Sequence, residues 1–154
     1  LEPRTSVPMK RLETVELMSK NKIPVGINLA PIIPGLNDEE IPAILKASQE
    51  AGALWAGRVL LRLPWSVKEV FLEWLHRNLP EKESKILGRI KDTRKGELTS
   101  SEFGKRLSGE GEFAAALHKL FKINCEKLGL NKTPLKLSTD HFVRNNEEQI
   151  GLFS

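Results

Sequence analysis

Two apolar runs constrain this chain most: Ile23 to Ile33, and "WAGRVLLRLP", roughly Trp55 to Leu63. Each is apolar on both faces, as a strand is when helices cover both sides of a parallel sheet. The segments around them carry helical spacing. Pro8 suits a first helical turn, where its missing N–H is not needed. Leu12, Val15 and Met18 follow on one face, with Leu17 at its border. Asn37 or Asp38 is placed to cap a second helix, and with Asn37 as cap Glu40 occupies the capping-box position. Its expected inner face is Ile41, Ile44, Leu45 and Ser48, and Gly52 ends it. Ser66 and Glu69 suggest a further capping box, with Val67, Val70, Phe71, Trp74 and Leu75 facing inward. The alternation of helix and strand predicts βα units and a parallel sheet. Two such strands alone leave unpaired edges and an open core, so the sheet is expected to be incomplete.

Beyond residue 80 the pattern changes. Residues 81 to 95 read as a charged helix with Ile86, Leu87 and Ile90 inside, and Gly96 to Gly111 as a loop. Glu112 to Leu128 reads as a strong helix with Phe113, Leu117, Leu120, Phe121 and Leu128 on one side, stopped by Gly129. From Asn131 the chain is polar and reads as extended. The expected organisation is therefore 1–80, 81–130 and 131–154.

The chain has 154 residues, the size of one domain, with 40% apolar and 29% charged residues, an ordinary globular composition. It lacks the roughly 20-residue apolar stretch that spans a bilayer, and LEPRTSVPMK is not a signal peptide. The single cysteine, Cys125, cannot form an internal disulfide and suits a reducing cytoplasm. The chain begins with Leu1, and the incomplete sheet favours a piece of a longer protein.

Four places carry candidate chemistry. The first is the rim loop, Pro31 to Asp38, after the first strand. Ligands of parallel α/β folds bind at the carboxyl ends of strands, and Asn28 is positioned to point at one. The alternative is an ordinary capped turn. The second is Arg62, which inside an apolar run needs a carboxylate, a phosphate or water. A ligand and a structural ion pair both fit, and Arg58 lies four residues earlier on the same strand face. The third is residues 81–106, with eight Lys/Arg against five Asp/Glu. Arg89, Arg94, Lys95, Lys105 and Arg106 in this stretch suit either a phosphate-binding groove or a solvated helix with mixed charges. Its "FGKRLSGEGEF" segment is glycine-rich but lacks the ending of a P-loop. The fourth is the tail, Gln149 to Phe153, a polar stretch closing on Leu152 and Phe153. It reads as self-docking, as untethered, or as a short partner-binding motif. His76, His118 and His141 are too scattered to suggest a metal site, and Cys125 reads as a core residue rather than a nucleophile.

The helix Arg-Leu-x-x-Val at 11–15, "APIIPGLND", "LRLP" and "FGKRLSGEG", in this order and spacing, resemble the later part of the barrel in radical S-adenosylmethionine enzymes. The narrower resemblance is to the subgroup labelled DNA-repair photolyases, related to spore photoproduct lyase. It covers nearly the whole chain. It implies an α/β fold: a partial TIM-like barrel with parallel strands, followed by a C-terminal α-helical extension. It implies a parent enzyme, of lyase or oxidoreductase type, holding a [4Fe-4S] cluster on a CxxxCxxC loop, which reduces bound S-adenosylmethionine to a 5′-deoxyadenosyl radical. Cofactor contacts would fall at Asn28, Pro31, Pro34, Gly35, Asn37, Arg62 and Leu63. This chain has no CxxxCxxC, so it is expected to bind no cluster and to be inactive alone. "QIGLF" is similar to the Gln-x-x-Leu-Phe motif by which bacterial repair proteins bind the sliding clamp, through Gln149, Leu152 and Phe153. The other expectations are a nucleic-acid or clamp-binding role, no membrane partner, and self-association through the open sheet.

Overall fold

The computed structural model describes residues 5–100, 102–134, 138–140 and 142. They form five helices and a two-stranded parallel sheet. Helix α1 spans Pro8–Lys20 and leads into strand β1, Gly26–Ile32. A 3-10 turn over Asp38–Glu40 precedes helix α2, Ile41–Glu50, and strand β2 is Trp55–Leu60. Helices α3, Ser66–Asn78, α4, Pro80–Asp92, and α5, Gly111–Leu128, complete it. Prolines open α1, α2 and α4, each in the first turn where no N–H is required.

The pairing of β1 with β2 sets Ile27 opposite Ala56, Asn28 opposite Gly57 and Leu29 opposite Arg58. Side chains alternate across a strand, so Leu29, Ala56 and Leu60 point to one face. There they meet Val15 of α1, Ile41 and Leu45 of α2, and Leu117 and Phe121 of α5 in one core. The opposite face carries Gly26, Asn28 and Ala30 from β1, all exposed, with Gly57 of β2. The expectation of helices on both faces is therefore corrected: among the described residues they cover one face. Pro31 is tolerated within β1 because β1 is an edge strand.

A second core lies past the strand ends. Ile33 and Leu63, each just beyond its strand, pack with Phe71 and Leu75 of α3 and Ile86 and Ile90 of α4. Helix α5, expected as part of an extension, shares its core with the sheet, while α3 and α4 share the other.

Several inner faces are narrower than the spacing suggests. Leu17, Ile44, Val67 and Val70 are exposed. Neither expected capping box forms. Asn37 and Glu40 make no cap hydrogen bond to α2, and at α3 Trp65, not Ser66, is the N-cap.

The outer edge of β2 is closed by its own chain. Gly129 takes a left-handed φ of 73° at the end of α5. Leu130 N–H then bonds Cys125 O, and Gly129 N–H bonds Glu126 O, the pattern of a Schellman stop. This delivers Asn131, whose side chain accepts from Ala56 N–H at 2.9 Å and donates to Ala56 O at 3.0 Å. The Asn131 amide thus replaces a neighbouring strand at that position. Leu107 O accepts from Leu60 N–H at the other end of the same strand. Edge β1 has no second strand beside it among the described residues.

Replacing Asn131 by Ala leaves Ala56 N–H and C=O without these partners. The expected loss is about 2–4 kcal/mol by denaturant unfolding. A loss within error of zero would show that the amide clamp contributes nothing.

Candidate functional site

The rim loop is held by two short side chains turned back across it. Asn37 Oδ1 accepts from Ile33 N–H at 2.7 Å, and Asn37 Nδ2 donates to Pro31 O at 3.1 Å. Asp38 Oδ1 accepts from Gly35 N–H at 2.8 Å. Both ends of the Asn37 amide are therefore spent on the loop. Such local bonds compete with helix capping, which is why the capping box is absent.

Between α1, α2 and β1 runs a groove of about 960 Å³, lined by Asn28, Pro31 and Asn37 among others. Its walls are mainly apolar, including Leu12, Ile27 and Ile44. Asn28 is exposed and lies across Gly57: a Cβ on Gly57 would stand 3.1 Å from Asn28 Oδ1. The other residues expected at a cofactor site are elsewhere. Pro34 is buried. Gly35, at φ 81°, packs on α4, where a Cβ would come within 3.3 Å of Arg89 Cγ. Leu63 belongs to the second core. Arg62 follows Leu61, whose carbonyl Arg94 binds, and does not line the groove. The structure thus brings together Asn28, Pro31 and Asn37, and separates Pro34, Gly35, Arg62 and Leu63 from them.

The basic segment is largely partnered within the chain. Arg94 is 4% exposed and donates to Leu61 O at 2.9 Å and Lys105 O at 3.2 Å. As a phosphate contact it is corrected: it staples the end of β2 to the loop. Its burial, then the nearby charge of Arg62, lower its pKa, while Glu110 raises it. Lys95 and Lys105 lie between Glu102 and Glu110, with Lys105 at 2.7 Å and 3.1 Å. Arg89 pairs with Asp92 and stacks over Phe113, 4.5 Å from its centroid. Arg106 lies 5.2 Å over Phe103, whose ring is 87% exposed.

Sequence reasoning missed three features. Trp65 is 93% exposed and held at a left-handed φ of 41°, a conformation rare for a bulky residue. Arg58 donates to His118 Nδ1 at 2.7 Å and sits over Phe121. Glu110 neutralises two lysines. A non-glycine residue at positive φ leaves no signal at Trp65, but the Gly109 and Gly111 flanks of Glu110 do hint at a fixed loop.

Against the three thiolates of a CxxxCxxC loop, the chain carries one cysteine. Cys125 is buried in α5, where burial and Glu126 push its thiol pKa up. The described residues hold no group of three His, Cys, Asp or Glu able to bind a metal. No helix among the described residues is long and apolar enough to cross a membrane. The tail residues Gln149, Leu152 and Phe153 lie outside the described residues.

Asn37→Ala removes the partners of Ile33 N–H and Pro31 O, at an expected cost of about 1–3 kcal/mol, with faster amide exchange at Ile33. Unchanged exchange there would exclude the amide as the loop's clamp. A second expectation concerns acid. Desolvation pushes the Glu110 carboxyl up, but hydrogen bonds and charge from Lys105 and Lys95 outweigh it and hold the pKa below its ordinary value. A lowered carboxylate pKa stabilises above the unfolded value and is lost as pH falls through the folded one. The stability difference between wild type and Glu110→Gln should therefore be present at neutral pH and shrink below about pH 4.3. A difference that grows in acid has the wrong sign for this pairing.

Comparison with protein-family models, with curated proteins and with solved structures finds no match in any of the three.

Proposed function

We propose that this chain is the later portion of a radical S-adenosylmethionine barrel, with β1 and β2 as neighbouring barrel strands. One observation carries the reading: among the described residues the helices cover one face of a parallel pair and leave the other, with Asn28 upon it, bare. Barrel strands have helices outside and side chains within. The apolar groove beside β1 supports it too, since an added strand there would bury Leu12, Ile27 and Ile44. Asn28 and the Pro31 loop would form part of the cofactor wall, and S-adenosylmethionine would supply the radical chemistry once bound in the whole enzyme. Asn37 would hold that loop rather than touch the cofactor. The cluster ligands would belong to a preceding segment, so this chain alone would be inactive. A reducing cytoplasm suits such an enzyme.

A second reading, a nucleic-acid-binding face, is favoured by the exposed Trp65 and by Phe103 beneath Arg106, since exposed aromatic rings next to arginine suit stacking on bases. A clamp-binding tail would serve the same parent.

The coding sequence upstream of Leu1 tests the first reading. An open frame of about a hundred or more residues carrying CxxxCxxC, in keeping with barrel size, is expected. The joined protein should then bind an iron–sulfur cluster and release 5′-deoxyadenosine, and Asn28→Ala should weaken its affinity for S-adenosylmethionine. An upstream frame without the motif rejects it. Salt-dependent DNA binding lost in Trp65→Ala and Phe103→Ala would instead promote the second.

A further inference from the structure

We propose that Arg62, backed by Arg94, seats a small oxyanion, a phosphate or carboxylate group, just past the carboxyl end of β2. This does not depend on the barrel reading; it follows from how charge is distributed at this rim.

Arg62 lies two residues beyond β2, half-buried. Its Nε is buried and has no hydrogen-bond partner. No ion pair with Arg62 forms among the described residues. A guanidinium taken from water without an acceptor is costly. Arg94 adds a like charge next to it. Both Arg94 terminal nitrogens donate to main-chain carbonyls, and no ion pair with Arg94 forms among the described residues. The proximity of the two is felt electrostatically, since Arg62 helps to lower the Arg94 pKa after burial.

The carboxylates of the adjoining loop are already engaged. Glu110 binds Lys95 and Lys105, and Glu102 binds the same two lysines. Lys95 and Lys105 thus take up both carboxylates, and Arg62 and Arg94 have no bonded carboxylate among the described residues. The loop is fixed there by Leu60 N–H to Leu107 O and by the Arg94 staple. The other buried guanidinium with an unbonded nitrogen, Arg58, differs: it has His118 and the Phe121 ring as partners. An oxyanion seated on the terminal nitrogens of Arg62, the part of the half-buried guanidinium open to solvent, supplies acceptors to its planar donors, and it offsets the Arg62–Arg94 repulsion.

The test uses the full chain labelled with nitrogen-15 at low salt. The Arg62 Nε–H resonance is assigned by its loss in Arg62→Gln and titrated with inorganic phosphate, with acetate, and with chloride as control. A saturable shift of that resonance by phosphate or acetate is expected, and whichever saturates at lower concentration names the source. Arg62→Lys, which keeps the charge but loses the fork, should weaken binding roughly tenfold. Two outcomes overturn the proposal: no saturable shift with either oxyanion, or a response to chloride equal to theirs. An Arg62→Gln protein with unchanged backbone amides elsewhere that still binds phosphate with the wild-type midpoint also overturns it.

Discussion

Every strand edge carries a row of backbone N–H and C=O groups that must be satisfied by something, and a sheet of two parallel strands has two such edges. This accounting governs the rest of the chain. At β2 the chain satisfies its own edge, with the Asn131 amide on Ala56 and the Leu107 carbonyl on Leu60. Both closures come from distant segments, so the outer edge of β2 fixes where α5 ends and where the 102–110 loop lies. The Arg94 staple to Leu61 O extends the same closure past the strand.

The two cores follow from this arrangement. The sheet offers one apolar face, which α1, α2 and α5 share. What emerges from the strand ends, Ile33 and Leu63, cannot reach that core and instead collects α3 and α4. The rim loop spans the junction: Asn37 and Asp38 hold it from within, while Gly35 rests on α4. Its glycine is required there, both by the positive φ and by the approach of Arg89.

The alternation of helix and strand was legible in the sequence because it rests on local periodicity, and so were the Gly129 stop and the core position of Cys125. The uses of individual polar residues were not. Asn37 has the composition of a cap, yet its loop offers nearer partners than the helix does, and spacing cannot weigh the two. The cations between residues 81 and 106 look unbalanced because Glu110, which neutralises two of them, lies beyond that stretch. Asn131 reads as the first residue of a polar tail, because its partner, Ala56, is 75 positions away. The bare face of the sheet was equally hidden: apolar residues on both sides of a strand do not reveal which side is covered. Of the expected cofactor residues, Asn28 and Pro31 meet at the groove because they share one strand, whereas Arg62 and Leu63 arrive on another and turn away.

The unequal treatment of the two edges bears on how copies of this chain could assemble. A sheet open on both sides can add strands without limit, which is how fibrils grow. Here β2 is blocked by its own Asn131 and Leu107, so among the described residues the β1 edge is the one left for a further strand. Pairing through β1 consumes that edge on each participant and closes as a two-fold dimer. In such an assembly the Asn131 amide would be a chain terminator, holding edge-to-edge pairing to one event per molecule.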